Sequence, residues 1–235
     1  MKKLLVICLA SISILIFFYS CDDLGKSSDA DMLTFKIDTV EGTITGVNVT
    51  ITLPFGTDVT KLAPVITISD LATISPASGT VQDFTNPVEY TITAEDGNTA
   101  IVVVTVKIKD PTKKELLTLA PWIKKSEIMV YNIDSIIDRL ATKDICYYDE
   151  VITIKADNTF TFDPKTVCDP QESKEIFSGT WSFSSDEKYF IVLMQDSTEP
   201  DSMEIGKLDT KTLELISRGV SNGKNYVNTS TLVHP

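Results

Sequence analysis

The chain has 235 residues, with 33 acidic side chains against 21 basic ones and a formal net charge of −12. That balance argues against nucleic acid as a partner, because phosphate binding needs a basic face. A single histidine removes most metal and acid–base chemistry, while an apolar content of 43 % is ample for packed cores.

Met1-Lys2-Lys3 precedes an apolar run from Leu4 to Phe18. The run is too short to cross a hydrocarbon core of ~30 Å, which needs about 20 helical residues. Its length and positive start are those of a secretory signal. Ser20-Cys21-Asp22-Asp23 follows. This layout resembles the signal of bacterial lipoproteins, in which the cysteine becomes the lipidated first residue after cleavage. Phe18 and Tyr19 stand where such signals usually carry Leu and a small residue. The acids after the cysteine resemble those of Bacteroidota lipoproteins exported to the cell surface. The resemblance implies a signal peptide over residues 1–20, lipidation at Cys21 and a lipidated tether over 21–31. It also implies anchorage in the outer membrane, facing outward, with the periplasmic face as the alternative. A plain membrane anchor and an ordinary cleaved signal are the other readings of this segment. Asp22 to Asp31 is polar and without periodicity, so it is expected to be flexible.

Residues 32–110 read as short strands. Val47, Val49, Ile51 and Leu53 alternate with Asn48, Thr50 and Thr52, the period of a half-buried strand. Val65 to Ile68 is a second strand. Val88, Tyr90, Ile92 and Ala94 share a face, Asp96-Gly97 signals a hairpin, and Ile101 to Ile108 is its return strand. The expectation is a small sandwich of antiparallel strands. The runs Leu53-Pro54-Phe55-Gly56-Thr57-Asp58, Ser75-Pro76-Ala77-Ser78-Gly79, Asp83 to Tyr90 and Ala94-Glu95-Asp96-Gly97 resemble the immunoglobulin-like domains found behind the anchor in Bacteroidota surface lipoproteins. The resemblance implies an Ig-like β-sandwich acting as a spacer. Asp58, Asp70, Asp83 and Asp96 lack the clustered spacing of a calcium loop and are read as turn and surface residues.

Asp110-Pro111-Thr112 marks a boundary, since Pro111 disfavours a continued strand. Thr112 can cap a short helix over Lys113 to Leu119, with Leu116, Leu117 and Leu119 as its apolar side. From Trp122 onward the strand pattern returns. It includes Val151 to Ile154, Thr159 to Phe162, Gly179 to Phe183, Tyr189 to Met194, Met203 to Ile205, Leu213 to Ile216 and Tyr226 to Val233, with Gly219 to Gly223 as a loop. Regularly spaced short strands predict an up-and-down antiparallel barrel. Leu116 to Trp122, Cys146-Tyr147-Tyr148-Asp149-Glu150, Lys155 to Phe160, Cys168 and Gly179-Thr180-Trp181-Ser182-Phe183 resemble bacterial lipocalin-like domains. Ala120 stands where that pattern usually has Gly before the Trp. The fold class expected overall is all-β. An Ig-like sandwich over 32–110 precedes a lipocalin-like barrel with a short leading helix over 112–235.

Cys8 lies in the signal and Cys21 is the anchor, which leaves Cys146 and Cys168. In an exported, oxidising setting a disulfide between them is expected, worth ~3 kcal/mol in the chain-entropy model. His234 sits next to the C-terminus, where it is expected to be frayed, so neither a metal pair nor a catalytic triad has a histidine to use. Asp149, Glu150, Asp163 and Asp169 are not marked as a glycosidase pair by their context. No cofactor, metal or catalytic residue is expected, and the protein is read as a non-enzyme. A barrel of about eight strands either fills with side chains or holds one small ligand. The candidate lining is Trp122, Tyr131, Phe160, Phe162, Trp181, Phe183 and Tyr226, and the ligand expected is small and apolar, lipid or glycan-derived. The alternative is a packed barrel serving as an interaction subunit of an envelope complex, or as an inhibitor, with a protein partner.

Overall fold

A computed structural model describes residues 25–132, 135–140, 149–165 and 175–235. Cys21, Cys146 and Cys168 lie outside these residues, and with them the expected lipidation site and the expected disulfide. The chain divides into two compact units between Asp110 and Pro111. Apart from one short helix, the described structure is strands and their connections.

In the first unit, β1 (Met32–Ile37), β2 (Val40–Glu41) and β5 (Val65–Ile68) form one antiparallel sheet in the order β2-β1-β5. The second sheet has the order β3-β4-β8-β7-β6, from β3 (Thr43–Thr45), β4 (Asn48–Leu53), β6 (Thr73–Ser75), β7 (Val88–Thr93) and β8 (Thr99–Ile108). Alternation holds for Val49, Ile51 and Leu53, which are buried, as are Tyr90, Ile92 and Ala94, but Val47, expected on the same face, precedes β4 and is 52 % exposed. Both sheets contribute to one core around Phe35, whose ring meets Phe84 and Tyr90 edge-on, each at 6.2 Å between centroids. The expectation of purely antiparallel pairing fails at one place. Strand β4 runs parallel to β8 from Asn48↔Val103 to Leu53↔Ile108. Apolar alternation specifies which face is buried, but not the direction of the neighbour.

Part of the segment expected to be flexible is held down. Asp31 N–H donates to Ser69 Oγ at 3.0 Å, Asp96 N–H donates to the Ser27 carbonyl at 3.1 Å, and Ala30 packs on the core. The turn aspartates act locally. Asp58 and Asp83 each accept the hydroxyl and backbone N–H of the threonine two residues on, and so does Asp157 in the second unit. These bonds favour the ionised form and lower all three carboxyls below the usual aspartate range.

The second unit opens with α1 (Lys113–Leu117). Thr112 and Glu115 cap it reciprocally. The helix is shorter than expected. Leu116 and Leu117 are buried, but Leu119 lies beyond its end and is 46 % exposed. The strands that follow are β9 (Trp122–Tyr131), β10 (Ser135–Asp138), β11 (Val151–Ile154), β12 (Thr159–Asp163), β13 (Phe177–Phe183), β14 (Tyr189–Met194), β15 (Asp201–Leu208), β16 (Thr212–Ser221) and β17 (Lys224–Val233). All pair antiparallel, and β17 returns to β9 from Tyr226↔Tyr131 to Val233↔Ile123. That last ladder closes an eight-stranded barrel, with β10 added beside the C-terminal half of β9. Closure gives each of the eight strands a partner on both sides, although β11 meets β9 at only two positions, Val151↔Ile123 and Ile152↔Trp122.

Two glycines are explained by close approach. A Cβ at Gly179 would strike the Leu193 carbonyl oxygen of the neighbouring strand. A Cβ at Gly219 would meet the Tyr226 ring at 2.7–2.8 Å. Gly219, expected in a loop, is therefore a strand residue. The turn is the pair Asn222-Gly223, both at positive φ, 50° and 72°.

Candidate functional site

The ladder register places Leu213, Leu215, Ser230 and Leu232 on the inner face of the barrel, opposite Lys124 and Glu127 of β9. Inside lies a cavity of about 210 Å³. Its lining comes from seven of the eight barrel strands: Ile152, Ile154, Phe160, Phe162, Phe190, Val192, Met194, Met203, Leu213, Leu215 and Leu232, with Lys124 and Ser230. All but the last two are apolar. The volume lies below the ~300–1,000 Å³ usual for drug-sized ligands. It admits a ring or a short chain rather than a whole lipid, since an apolar cavity of ~150 Å³ already accepts benzene.

The seven candidate aromatics fall into three groups. Phe160 and Phe162 line the cavity. Trp122 and Trp181 belong to the packed core cluster with Leu117 of α1, and Phe183 packs against that cluster. Each indole N–H is already used: Trp122 donates to the Leu117 carbonyl at 2.9 Å, and Trp181 to the Lys155 carbonyl at 3.0 Å. Phe183 stands edge-on to Trp181 at 5.4 Å, and the Lys114 ammonium lies 5.7 Å from the centroid of the Trp181 ring. Tyr131 and Tyr226 pair across β9 and β17 at 6.2 Å. They line a separate open concavity of about 420 Å³ with Met129, Ile137 and Arg139.

His234 is not frayed. Its ring lies 3.8 Å from that of Trp122, tilted by 32°, and its Nδ1 donates to the Pro121 carbonyl at 2.9 Å. The pairing of Val233 with Ile123 carries the chain end onto the barrel wall and sets this contact. A terminal position in sequence says nothing about such a ladder.

Sequence reasoning also passed over a polar layer at one side of the cavity. Lys124 Nζ sits 3.5 Å from Glu127 Oε2 and 3.3 Å from Glu150 Oε2. Glu127 Oε1 is met by Arg139 Nη1 at 3.4 Å and receives a hydrogen bond from Asn228 Nδ2 at 3.2 Å. The side chains of Lys124, Glu127 and Glu150 are only 22 %, 16 % and 17 % exposed. Asn228 Oδ1 and Asp149 Oδ1 are buried with no hydrogen-bond partner among the described residues. A β-bulge in β9 produces the cluster. The register against β17 slips between Thr231↔Ser126 and Leu232↔Lys124, so Lys124 and Glu127, three residues apart, share the inner face. Strict alternation would place them on opposite faces.

Two carboxylates beside one cavity are also what a glycosidase needs. Here, however, the Lys124 ammonium occupies the position between Glu127 and Glu150, in contact with both. Among the described residues no group of three or more His, Cys, Asp or Glu side chains is placed to hold a metal ion.

Comparison with known proteins finds two family matches along the chain. Residues 32–106 match the family of N-terminal domains of surface glycan-binding proteins, and residues 124–215 match the lipocalin-like domain family. Among curated proteins none matches the sequence. Similar solved structures include a "putative glycoside hydrolase" from Bacteroides thetaiotaomicron, 15 % identical over 90 % of this chain and 92 % of that one, with a TM-score of 0.35. A lipoprotein from the same organism is 14 % identical over 85 % of this chain and all of its own length, with a TM-score of 0.29. At these scores neither name carries over to this chain.

Proposed function

We propose that the protein is a lipid-anchored outer-membrane protein that binds a small apolar molecule inside its C-terminal barrel and catalyses no reaction. Cys21 bears the lipid. The first unit, an Ig-like spacer, carries the barrel outward from the membrane on the cell surface. A disulfide between Cys146 and Cys168 staples the second unit. The match of residues 32–106 to a surface glycan-binding family and of 124–215 to a lipocalin-like family supports display and binding. The cavity carries the reading: a barrel serving only as a packed module has no need of 210 Å³ of apolar space lined by Phe160, Phe162 and Phe190. That lining suits a ring or short alkyl group and offers little to the hydroxyls of a glycan. Native mass spectrometry of the full-length protein tests the reading. A co-purifying small molecule, or saturable uptake of ethylbenzene, is expected. Uptake of neither overturns it.

One observation favours a second reading, an interaction subunit of an envelope complex. Ile136 and Val220 are 74 % and 68 % exposed, and Ile137 on β10 and Val227 on β17 are exposed as well. If an envelope partner is captured by this region, substituting Ile136 with Lys releases it. Under the binding reading that substitution leaves ligand uptake unchanged.

A further inference from the structure

We infer that the barrel cavity takes a small apolar molecule whose polar end is an uncharged hydrogen-bond acceptor, a ketone, ester or ether oxygen, received by the Ser230 hydroxyl. This rests on the proposal that the barrel binds a ligand, and it adds the chemistry of the ligand's polar end.

The inner face of β16, β17 and β9 grades from apolar to charged over two rows of the ladder. Leu213 and Leu232 stand in line with Lys124, and the next inner row is Leu215, Ser230 and Glu127. Ser230 therefore sits where the apolar wall meets the charged layer. Among the described lining residues, only Ser230 and Lys124 carry a hydroxyl or a charge. Ser230 is half-buried, and its hydroxyl makes no hydrogen bond among the described residues. Beyond Cβ a serine has no atom but Oγ, so a serine on a cavity wall presents its hydroxyl there.

A charged ligand end finds no free counter-charge. Lys124 Nζ lies 3.5 Å from Glu127 Oε2 and 3.3 Å from Glu150 Oε2, and Arg139 Nη1 lies 3.4 Å from Glu127 Oε1. These two cations and two carboxylates balance. A ligand carboxylate would enter beside Glu127 and Glu150, and a ligand ammonium beside Lys124. Each would lose its hydration without compensation.

The same two side chains decide the polarity of a neutral end. An ammonium has N–H groups and no lone pair, so Lys124 can add only a donor to the wall. The Ser230 hydroxyl can donate as well. An acceptor oxygen on the ligand suits both, whereas a ligand donor suits Ser230 alone. The cavity of about 210 Å³ has room for a ring with a short acetyl-sized group, and Phe160, Phe162 and Phe190 take the ring.

Isothermal titration of the full-length protein with four molecules of similar size tests this: acetophenone, ethylbenzene, phenethylamine and phenylacetate. A purely apolar wall favours ethylbenzene, which carries no polar atom to desolvate. Acetophenone is instead expected to bind at least as tightly as ethylbenzene, and about tenfold or more tighter than the amine and the carboxylate. Ethylbenzene binding the tighter of the two neutral molecules, or either ion matching acetophenone, overturns the inference and leaves the barrel-binding proposal standing. Uptake of none of the four overturns both. Ser230→Ala locates the donor: affinity for acetophenone is expected to fall about tenfold while that for ethylbenzene holds. Unchanged acetophenone affinity in that variant overturns the inference. Should the variant not fold, the rank order on the unaltered protein decides alone.

Discussion

The two units solve the same problem, burying the inner faces of β-sheets, with opposite results. In the first, two sheets close on Phe35, Phe84 and Tyr90. The Tyr90 hydroxyl is buried there with no hydrogen-bond partner among the described residues, at the centre of an apolar core. In the second, a closed barrel is plugged near α1 by Leu117, Trp122 and Trp181, yet it keeps a hollow and a polar layer beside them. The difference follows from geometry. Two facing sheets can approach until their side chains interdigitate, whereas an eight-stranded barrel has a radius set by strand number and tilt and must be filled by side-chain size. Ser230 and the modest Val192 are among the smaller side chains on the wall of the hollow.

The largest effect expected from breaking this contrast is at the plug. Trp122→Ala removes a fully buried indole and its hydrogen bond to Leu117. It should destabilise the second unit by ~3–5 kcal/mol. Scanning calorimetry is expected to show one transition lowered and another unmoved. A joint shift would mean that the units do not melt independently.

A matched pair of substitutions compares the interiors directly. Val104→Phe adds a ring to a core with no room and should cost ~1–3 kcal/mol. Val192→Phe points the same ring at the hollow, so urea denaturation is expected to show a change below about 1 kcal/mol while ethylbenzene uptake is lost. Equal costs at the two sites would show that the cavity is not available space.

Tyr90 provides a smaller and pH-dependent test. Burial pushes its phenol from 10 up to about 12. The folded state holds the proton more tightly than the unfolded state, so the stability present below pH 10 is lost as pH rises from 10 to 12. The loss approaches ~3 kcal/mol at the upper end. Tyr90→Phe should abolish that slope and raise stability at neutral pH by ~1 kcal/mol, because the unpaired hydroxyl is gone. A first unit equally alkali-sensitive with Phe at this position would refute the assignment.

The smallest effect concerns Asp209, at the exposed turn before β16. The Lys207 ammonium first, and then the N–H groups of Lys211 and Thr212, bring its carboxyl down to about 2. A depressed carboxyl stabilises above its ordinary value near 3.8 and loses that contribution as pH falls from there toward 2. An NMR titration should find Asp209 among the last aspartates to protonate, and Lys207→Ala should raise its midpoint.

Much of this architecture was legible from local pattern. Val49-Ile51-Leu53 and Tyr90-Ile92-Ala94 alternate as half-buried strands must, Asp96-Gly97 turns a hairpin, and Thr112 starts a helix. Each is decided within a few residues by rotamer, dihedral and capping preferences. Of the cavity and the polar layer beside it, Phe160 and Phe162 were visible as inward aromatics. Lys124, Glu127 and Asn228 were not, because the bulge beside Lys125 breaks the alternation that any single-strand reading assumes. Trp122 and Trp181 stood out equally by residue type, but their indoles are committed to backbone carbonyls of the core.

The amino-acid sequence by itself determined the all-β class and the faces that strands such as β4 and β7 bury, because period-two alternation and turn chemistry act over short stretches of chain. Only the tertiary structure decided the parallel pairing of β4 with β8, the docking of His234 on Trp122 and the polar layer around Lys124. Each of these depends on which distant strand supplies the hydrogen-bond partner and at what register. The hollow is likewise a property of no single segment: it is the difference between the radius that eight paired strands impose and the volume their inward side chains can fill.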